Sequence, residues 1–190
     1  IYGYGFHPGK IKGDGLFYSV IRKKSNEFTD NKKIRIRTDL GATNVQMKIA
    51  GDWTMFKEDS FLAISGSIVS IPCSQENFSL LSKHLFIIKP GTKILSLKGK
   101  DALPSHELAL SVFLKEDAFP SAGLSFDEAL NFLRKNSLSL PGLPEGWIIA
   151  TYEGVNIGFM KNIGNRINNY YPIEWRIRMQ GNGNEVIKWI

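Results

Sequence analysis

The chain has 190 residues, of which 43% are hydrophobic and 22% are charged, so it can bury one ordinary core or two small ones. This composition excludes a disordered chain, and no apolar run reaches the roughly 20 residues that a membrane-spanning helix needs. The net charge of +6 favours an anionic partner, either nucleic acid or an acidic membrane face. The single cysteine, Cys73, excludes a disulfide framework and a cysteine-based zinc site, and it predicts a reducing compartment, the cytoplasm.

The first 33 residues predict a β-hairpin and a linker. Ile1–Phe6 alternates bulky residues with glycine, and Leu16–Ile21 has the apolar run of a buried strand, with turn-forming glycines between the two. Residues 25–33 are polar, as is typical of a linker, and mark a candidate domain boundary. Because the chain begins without an initiator Met, we expect it to be part of a longer protein.

The middle of the chain predicts a small unit of strands and a helix. Leu62–Pro72 has the pattern of two short strands that turn at Gly66. Lys93–Leu97 predicts a further strand. Between them, Phe78–Phe86 predicts an amphipathic helix whose apolar face consists of Phe78, Leu81 and Leu85.

The last 90 or so residues predict two helices followed by three strands. Ser105 is a candidate N-cap for a first helix, whose apolar face comprises Leu108, Ala109, Val112 and Phe113. Ser125 and Glu128 have the spacing of a capping box, which predicts a second helix that ends near Lys135. The strands predicted after a Pro- and Gly-rich break are Trp147–Tyr152, Val155–Met160 and Ile173–Met179, with Gly154 in a hairpin turn.

The residues with reactive side chains form no catalytic or metal-binding set. Cys73 follows Pro72, and several nucleic-acid methyltransferases present such a pair to a pyrimidine, but no Asp precedes it and no Gly-rich donor-binding loop lies upstream. We interpret Cys73 as a small buried thiol. None of the histidines has a second ligand at metal-binding spacing, so we expect no metal site and only cap or surface roles for His7, His84 and His106.

The segment from Gly158 to Met179 interleaves side chains that suit nucleic acid. Its basic residues can contact phosphates: Lys161, Arg166, Arg176 and Arg178. Its amides and aromatic rings can contact base edges, 2′-hydroxyl groups or base faces: Asn168, Asn169, Tyr170, Tyr171 and Trp175. The alternative without a function is that the rings belong to the core and the arginines are only solvated.

Strand alternation refines this interpretation. On the predicted strand, Trp175, Ile177 and Met179 share a core face, so Arg176 and Arg178 point outwards together. The loop Asn165–Pro172 is then expected to read RNA, and the following strand to contact phosphates. The same surface also suits a protein-interaction module with an aromatic and arginine-rich face.

These residues carry a resemblance to a known family. The motifs are Gly146-Trp147, Tyr152-Glu153-Gly154, Ile157–Lys161, Gly164–Pro172 and Trp175-Arg176. They resemble the C-terminal PUA-like domain of bacterial RNA 5-methylcytosine methyltransferases of the Nol/Nop/Sun type, in the branch that modifies ribosomal RNA. The segments Tyr4–Pro8, Gly13–Phe17 and Lys23 resemble the last two strands of that family's catalytic domain, and Lys98-Gly99 with Pro104–Ala109 resembles the entry to the PUA-like part.

The resemblance implies an α+β fold in three parts. Residues 1–25 would be a β-hairpin stub of the methyltransferase catalytic domain. Residues 26–100 would be a small central α+β module. Residues 101–190 would be a PUA-like RNA-binding domain, built as a β-barrel with flanking helices.

The resemblance also implies a function. The chain would be the RNA-docking part of an S-adenosylmethionine-dependent rRNA cytosine-5 methyltransferase that acts in rRNA processing. In the family, catalysis needs a fold that binds S-adenosylmethionine and two cysteines. This chain has neither that fold nor a second cysteine. We therefore expect no catalytic residue and no cofactor in this chain, and we expect S-adenosylmethionine to bind in the full-length enzyme. The chain would be a cytoplasmic monomer that binds structured, ribosomal RNA and does not contact a membrane. The RNA-binding role would fall on Lys161, Asn165, Arg166, Asn168, Asn169, Tyr170, Tyr171 and Arg176.

Overall fold

The computed structural model describes residues 3–7, 16–19, 44–99 and 101–179. The chain divides into two compact units, residues 1–33 and residues 34–190. The described residues form one two-stranded and two four-stranded sheets with a few helices, so the predicted α+β class is confirmed. None of the helices within these ranges is long and apolar enough to cross a membrane.

The first unit contains the predicted hairpin. Strands β1 (Gly3–Phe6) and β2 (Leu16–Ser19) pair antiparallel, with Gly3 opposite Ser19 and Phe6 opposite Leu16. The predicted linker at 25–33 lies outside the described residues.

The first four-stranded sheet is antiparallel, in the order β3-β4-β5-β6. Its strands and the helices near it are α1 (Asn44–Trp53), β3 (Phe61–Ile64), β4 (Ser67–Ser70), α2 (Gln75–His84), β5 (Thr92–Lys98) and β6 (Asp101–Pro104). Ser65 and Gly66 both have positive φ (48° and 72°), the backbone that a tight hairpin turn requires, so the predicted strand pair around Gly66 is confirmed. Helix α2 is also confirmed, but Leu81 and Leu85 of its predicted apolar face are exposed.

The second four-stranded sheet is mixed, in the order β7-β8-β9-β10, with β7 parallel to β8 and the other pairs antiparallel. The elements of this half are α3 (His106–Ala109), β7 (Ser121–Gly123), α4 (Phe126–Leu133), β8 (Gly146–Tyr152), β9 (Val155–Asn162) and β10 (Ile167–Asn169). The predicted capping box is confirmed, because the Ser125 hydroxyl accepts from the Glu128 amide and the Glu128 carboxylate accepts from Ser125. A bridge between Leu138 and Ile167 extends the sheet beyond β10, and closure into a PUA-like barrel stays a prediction.

Each face of the second sheet packs against a hydrophobic core. Ile149 of β8 and Phe159 of β9 face a core shared with the first sheet, which includes Phe61 and Leu95. Alternate residues such as Ile148 and Met160 face a second core, which includes Ala129 and Phe132 of α4. The domain boundary predicted between residues 100 and 101 stays a prediction.

Two predicted elements are corrected by the structure. The helix that begins after Ser105 ends at Ala109, since the Ser111 hydroxyl accepts from the Phe113 amide and turns the chain; Val112 is 83% exposed. The strand predicted at 173–179 is absent from the described structure: Ile173–Trp175 is a 3₁₀ helix, and residues 176–179 form no regular element. Among the α-helices and strands of the described residues, four were not predicted, namely α1, β6, β7 and β10.

Candidate nucleic-acid interface

A row of three side chains crosses one face of the second sheet. Trp147 of β8 and Asn168 of β10 each lie directly opposite Lys161 of the intervening strand β9, so all three side chains project from the same face. Lys161 Nζ lies 5.3 Å from the centroid of the Trp147 ring, within cation–π range. The Tyr170 ring approaches the same indole edge-on, with centroids 4.4 Å apart. We call these four residues the sheet-face patch.

The patch is held by the core beneath it. The Trp147 ring packs against the buried ring of Phe159, with centroids 6.2 Å apart, and remains half-buried. Tyr170 is fixed by its amide, which donates to the Phe159 carbonyl at 3.1 Å, and its side chain is 38% exposed. The patch therefore offers an aromatic surface, a cation and an amide on three paired strands and the residue that follows them.

A short loop stands at the end of the strands that carry the patch. Its turn closes with the Ile163 amide donating to the Arg166 carbonyl at 3.0 Å, while Gly164 supplies a positive φ of 87°. The Asn162 side chain braces the loop by accepting from the Gly164 amide at 3.0 Å. Asn165 and Arg166 are exposed on it. The predicted RNA-reading loop is thus partly a strand, because Ile167–Asn169 pairs with β9.

Asn169 and Tyr171 face the opposite side of the sheet, where they fasten β10 to α4. The Asn169 amide donates to the Phe132 carbonyl at 2.8 Å and to the Asn136 carbonyl at 3.4 Å, and its oxygen accepts from the Tyr171 amide at 2.9 Å. The Tyr171 ring packs edge-on against Phe132 and His106, with centroids 5.6 Å and 5.1 Å apart. Both side chains are therefore committed to internal packing.

Lys135 completes this attachment. Its positive φ of 62° turns the chain after α4, and its ammonium donates to the Asn169 carbonyl at 3.1 Å and to the Tyr171 carbonyl. Burial lowers the pKa of Lys135, while the negative charge of Glu174 opposes that effect. The Lys135 ammonium therefore stabilises the fold through these two hydrogen bonds.

Arg176 and Arg178 contribute to a separate cleft of ≈ 530 Å³ at the C-terminal end of α4. We call it the basic cleft; it is lined by Arg134, Asn136, Arg176, Ile177, Arg178 and Met179. The Ile177 amide donates to the Leu133 carbonyl at 3.0 Å, so this segment bonds to a helix end instead of a strand. Trp175 is 59% exposed and Ile177 37% exposed, which corrects the prediction that they form a core face.

His106 lies under the segment that follows β10. Its ring meets Tyr171 and Trp175 edge-on, with centroids 5.1 Å and 5.3 Å away. Its buried Nδ1 has no hydrogen-bond partner within the described part of the chain. Burial lowers the pKa of His106, and the charge of Glu107 partly offsets this. The prediction of a cap or surface role overlooked this packing.

The sequence did not predict that some of these residues belong to the site. The role of Trp147 could have been predicted, because the register of the β8–β9 hairpin places it opposite Lys161. Arg134, Asn136 and His106 carry no local signal, since they join the site only through contacts distant in sequence. Cys73, interpreted as a buried thiol, is partly exposed.

A larger cleft of ≈ 640 Å³ lies elsewhere, between residues 109–121 and 149–156. Its charged lining consists of Lys115 and Glu116. The Lys115 ammonium donates to the Gly51 carbonyl at 2.8 Å, so it ties this cleft to α1. We find no converging catalytic set there among the described residues.

The fold and site define a class: a mixed sheet with a helix across one face and an aromatic, basic patch at the other, consistent with a PUA domain. Residues 119–177 match the family model described as the PUA domain of the methyltransferase RsmF. The predicted PUA-like domain is therefore confirmed over that range, which covers less than half of the chain and contains every predicted binding residue except Arg178. A comparison with curated proteins finds no match to the chain.

Proposed function

We propose that residues 119–177 bind structured RNA through the sheet-face patch and the adjacent loop. The supporting observation is the row of Trp147, Lys161 and Asn168 across three paired strands, with Tyr170 beside it. A base stacked on an aromatic ring contributes about 1–3 kcal/mol. The ammonium suits a phosphate, and the amide suits a base edge or a 2′-hydroxyl group.

The match to the PUA domain of RsmF supports a finer proposal. The chain would dock ribosomal RNA, as a cytoplasmic monomer, for methylation at the 5-position of cytosine. None of the strand-to-helix connections in the described ranges is Gly-rich, which supports the proposal that the methyl donor does not bind to these residues. We propose that S-adenosylmethionine binds in a catalytic domain that these residues do not include.

The double variant Lys161→Ala/Arg166→Ala tests the patch. Fluorescence anisotropy with a labelled stem-loop RNA should show roughly tenfold weaker binding, because two phosphate contacts are lost, each contributing about 0.7–0.9 to the slope of log K against log salt. The slope should become shallower by about 1–2 between roughly 50 and 200 mM salt.

The matched control is Lys48→Ala/Lys83→Ala. It removes two exposed lysines from α1 and α2, outside the region that matches the PUA domain. An equal loss in the control would mean that net charge, and not the patch, drives binding. Absence of salt-dependent RNA binding by the wild-type chain would reject the proposal and favour the protein-interaction alternative.

A further inference from the structure

We infer that the basic cleft is a second RNA contact, which takes a backbone phosphate on the opposite side of the sheet from the sheet-face patch. The inference rests on the proposed RNA-binding function. Neighbouring side chains on β10 point to opposite faces, and the structure shows Asn168 in the patch but Asn169 bonded to the end of α4. The cleft lies at that same end of α4.

The lining of the cleft suits a phosphate. Three guanidinium groups and one amide line it, together with Ile177 and Met179, and no carboxylate is among those side chains. The planar guanidinium fork matches the oxygens of a phosphate and is more weakly hydrated than an ammonium. The nearby carboxylate of Glu174 acts on Lys135, which already bonds to two carbonyls.

The end of α4 does not oppose an anion as a bare helix C-terminus would. Free carbonyls there normally give a partial negative charge. In this structure the last carbonyls of the helix all accept hydrogen bonds, from the amides of Arg134, Lys135, Asn136 and Ile177 and from the Asn169 side chain. These hydrogen bonds weaken the negative potential at the helix end, which would otherwise oppose an anion.

The backbone that carries Arg176 and Arg178 is also held in place. Ile177, between Arg176 and Arg178, is anchored by the 3.0 Å bond from its amide to the Leu133 carbonyl. The attachment through Asn169 fixes the residues that lead into this segment. Such preorganisation lowers the entropic cost of binding.

The two sites require an RNA of a particular kind. They lie on opposite faces of a sheet, and packed layers are about 10 Å apart, so one nucleotide does not reach both. The ligand class is therefore a folded RNA that presents separate backbone segments to the patch and the cleft.

The test uses the full 190-residue chain with Arg176→Ala/Arg178→Ala, which alters two exposed side chains. With the labelled stem-loop RNA, we expect roughly tenfold weaker binding and a salt slope shallower by about 1–2. Because the sites are separate, combining this pair with Lys161→Ala/Arg166→Ala should multiply the two losses. Arg176→Lys/Arg178→Lys, which keeps the charge but removes the fork, should bind with intermediate affinity.

The outcomes separate the two proposals. If Arg176→Ala/Arg178→Ala binds as wild type while the patch variant is weakened, the cleft inference is overturned and the proposed function stands. If the lysine pair restores full affinity, or Lys48→Ala/Lys83→Ala is equally weak, diffuse charge explains the effect and the inference is also overturned. If the wild-type chain binds a protein partner but no RNA, both proposals fall.

Discussion

Two adjacent asparagines perform different tasks at the edge of the second sheet. Asn168 belongs to the sheet-face patch, opposite Lys161. Asn169 faces α4, where its side-chain nitrogen donates to the Phe132 carbonyl and its oxygen accepts from the Tyr171 amide. The composition of the sequence treats the two alike, whereas the strand alternation assigns one to the surface and the other to the fold.

The variants Asn169→Ala and Asn168→Ala should therefore have opposite effects. Asn169→Ala removes a bond to the Phe132 carbonyl and leaves the partly buried Tyr171 amide without its partner, so the free energy of unfolding should fall by about 1–3 kcal/mol. Asn168→Ala should leave stability unchanged and weaken RNA binding. Urea unfolding and RNA anisotropy measure the two effects, and equal stability of the two variants would contradict this assignment.

At the scale of elements, the contact between α4 and β9 depends on a glycine. Gly158 has φ 150°, and a Cβ there would lie 2.9 Å from Cζ of Phe132 and 3.2 Å from Nδ1 of His106. The absence of a side chain thus lets α4 and α3 approach the sheet closely enough to hold Tyr171 between them.

Gly158→Ala should destabilise the protein. The added methyl group meets the ring of Phe132, and the backbone conformation is strained for any other residue, at a cost of about 1–3 kcal/mol. Gly123→Ala on β7 is the matched control, because no atom lies within 4 Å of its added Cβ. A thermal midpoint for Gly158→Ala no lower than that of Gly123→Ala would show that the packing tolerates a side chain.

At the scale of the whole molecule, the matched PUA region shares its core with the preceding sheet. Ile149 and Phe159 belong to a cluster that also contains Ala50, Phe61 and Leu95. The region of the family match begins only at residue 119. The boundary of the matched region and the boundary of the hydrophobic core are therefore different.

A fragment of residues 119–190 should consequently fail to fold on its own. It loses the apolar surface that covers Ile149 and Phe159, and burial of such surface is the main favourable term in folding. The fragment 34–190, which keeps the second unit whole, should unfold cooperatively. Urea titrations followed by near-ultraviolet circular dichroism compare them; a sharp transition of the short fragment at the same urea concentration would refute the shared-core argument.

Local chemistry made much of the second sheet predictable. The capping box at Ser125 and the turn at Gly154 depend on residues close in sequence, and both are present. The predicted strand at 173–179 was wrong for a complementary reason. Its alternation is strand-like, but the Ile177 amide finds its partner at Leu133, far away in the sequence.

The sequence by itself determined the α+β class, the β3–β4 hairpin at Gly66 and the segment that holds the candidate interface. It did so because alternation, caps and turns are short-range effects of side-chain and backbone chemistry. The tertiary structure alone decided which of the nominated residues are free to bind. It placed Lys161, Asn168 and Tyr170 on one face, used Asn169 and Tyr171 for packing, and joined Arg176 and Arg178 to Arg134, because those roles follow from contacts between distant parts of the chain.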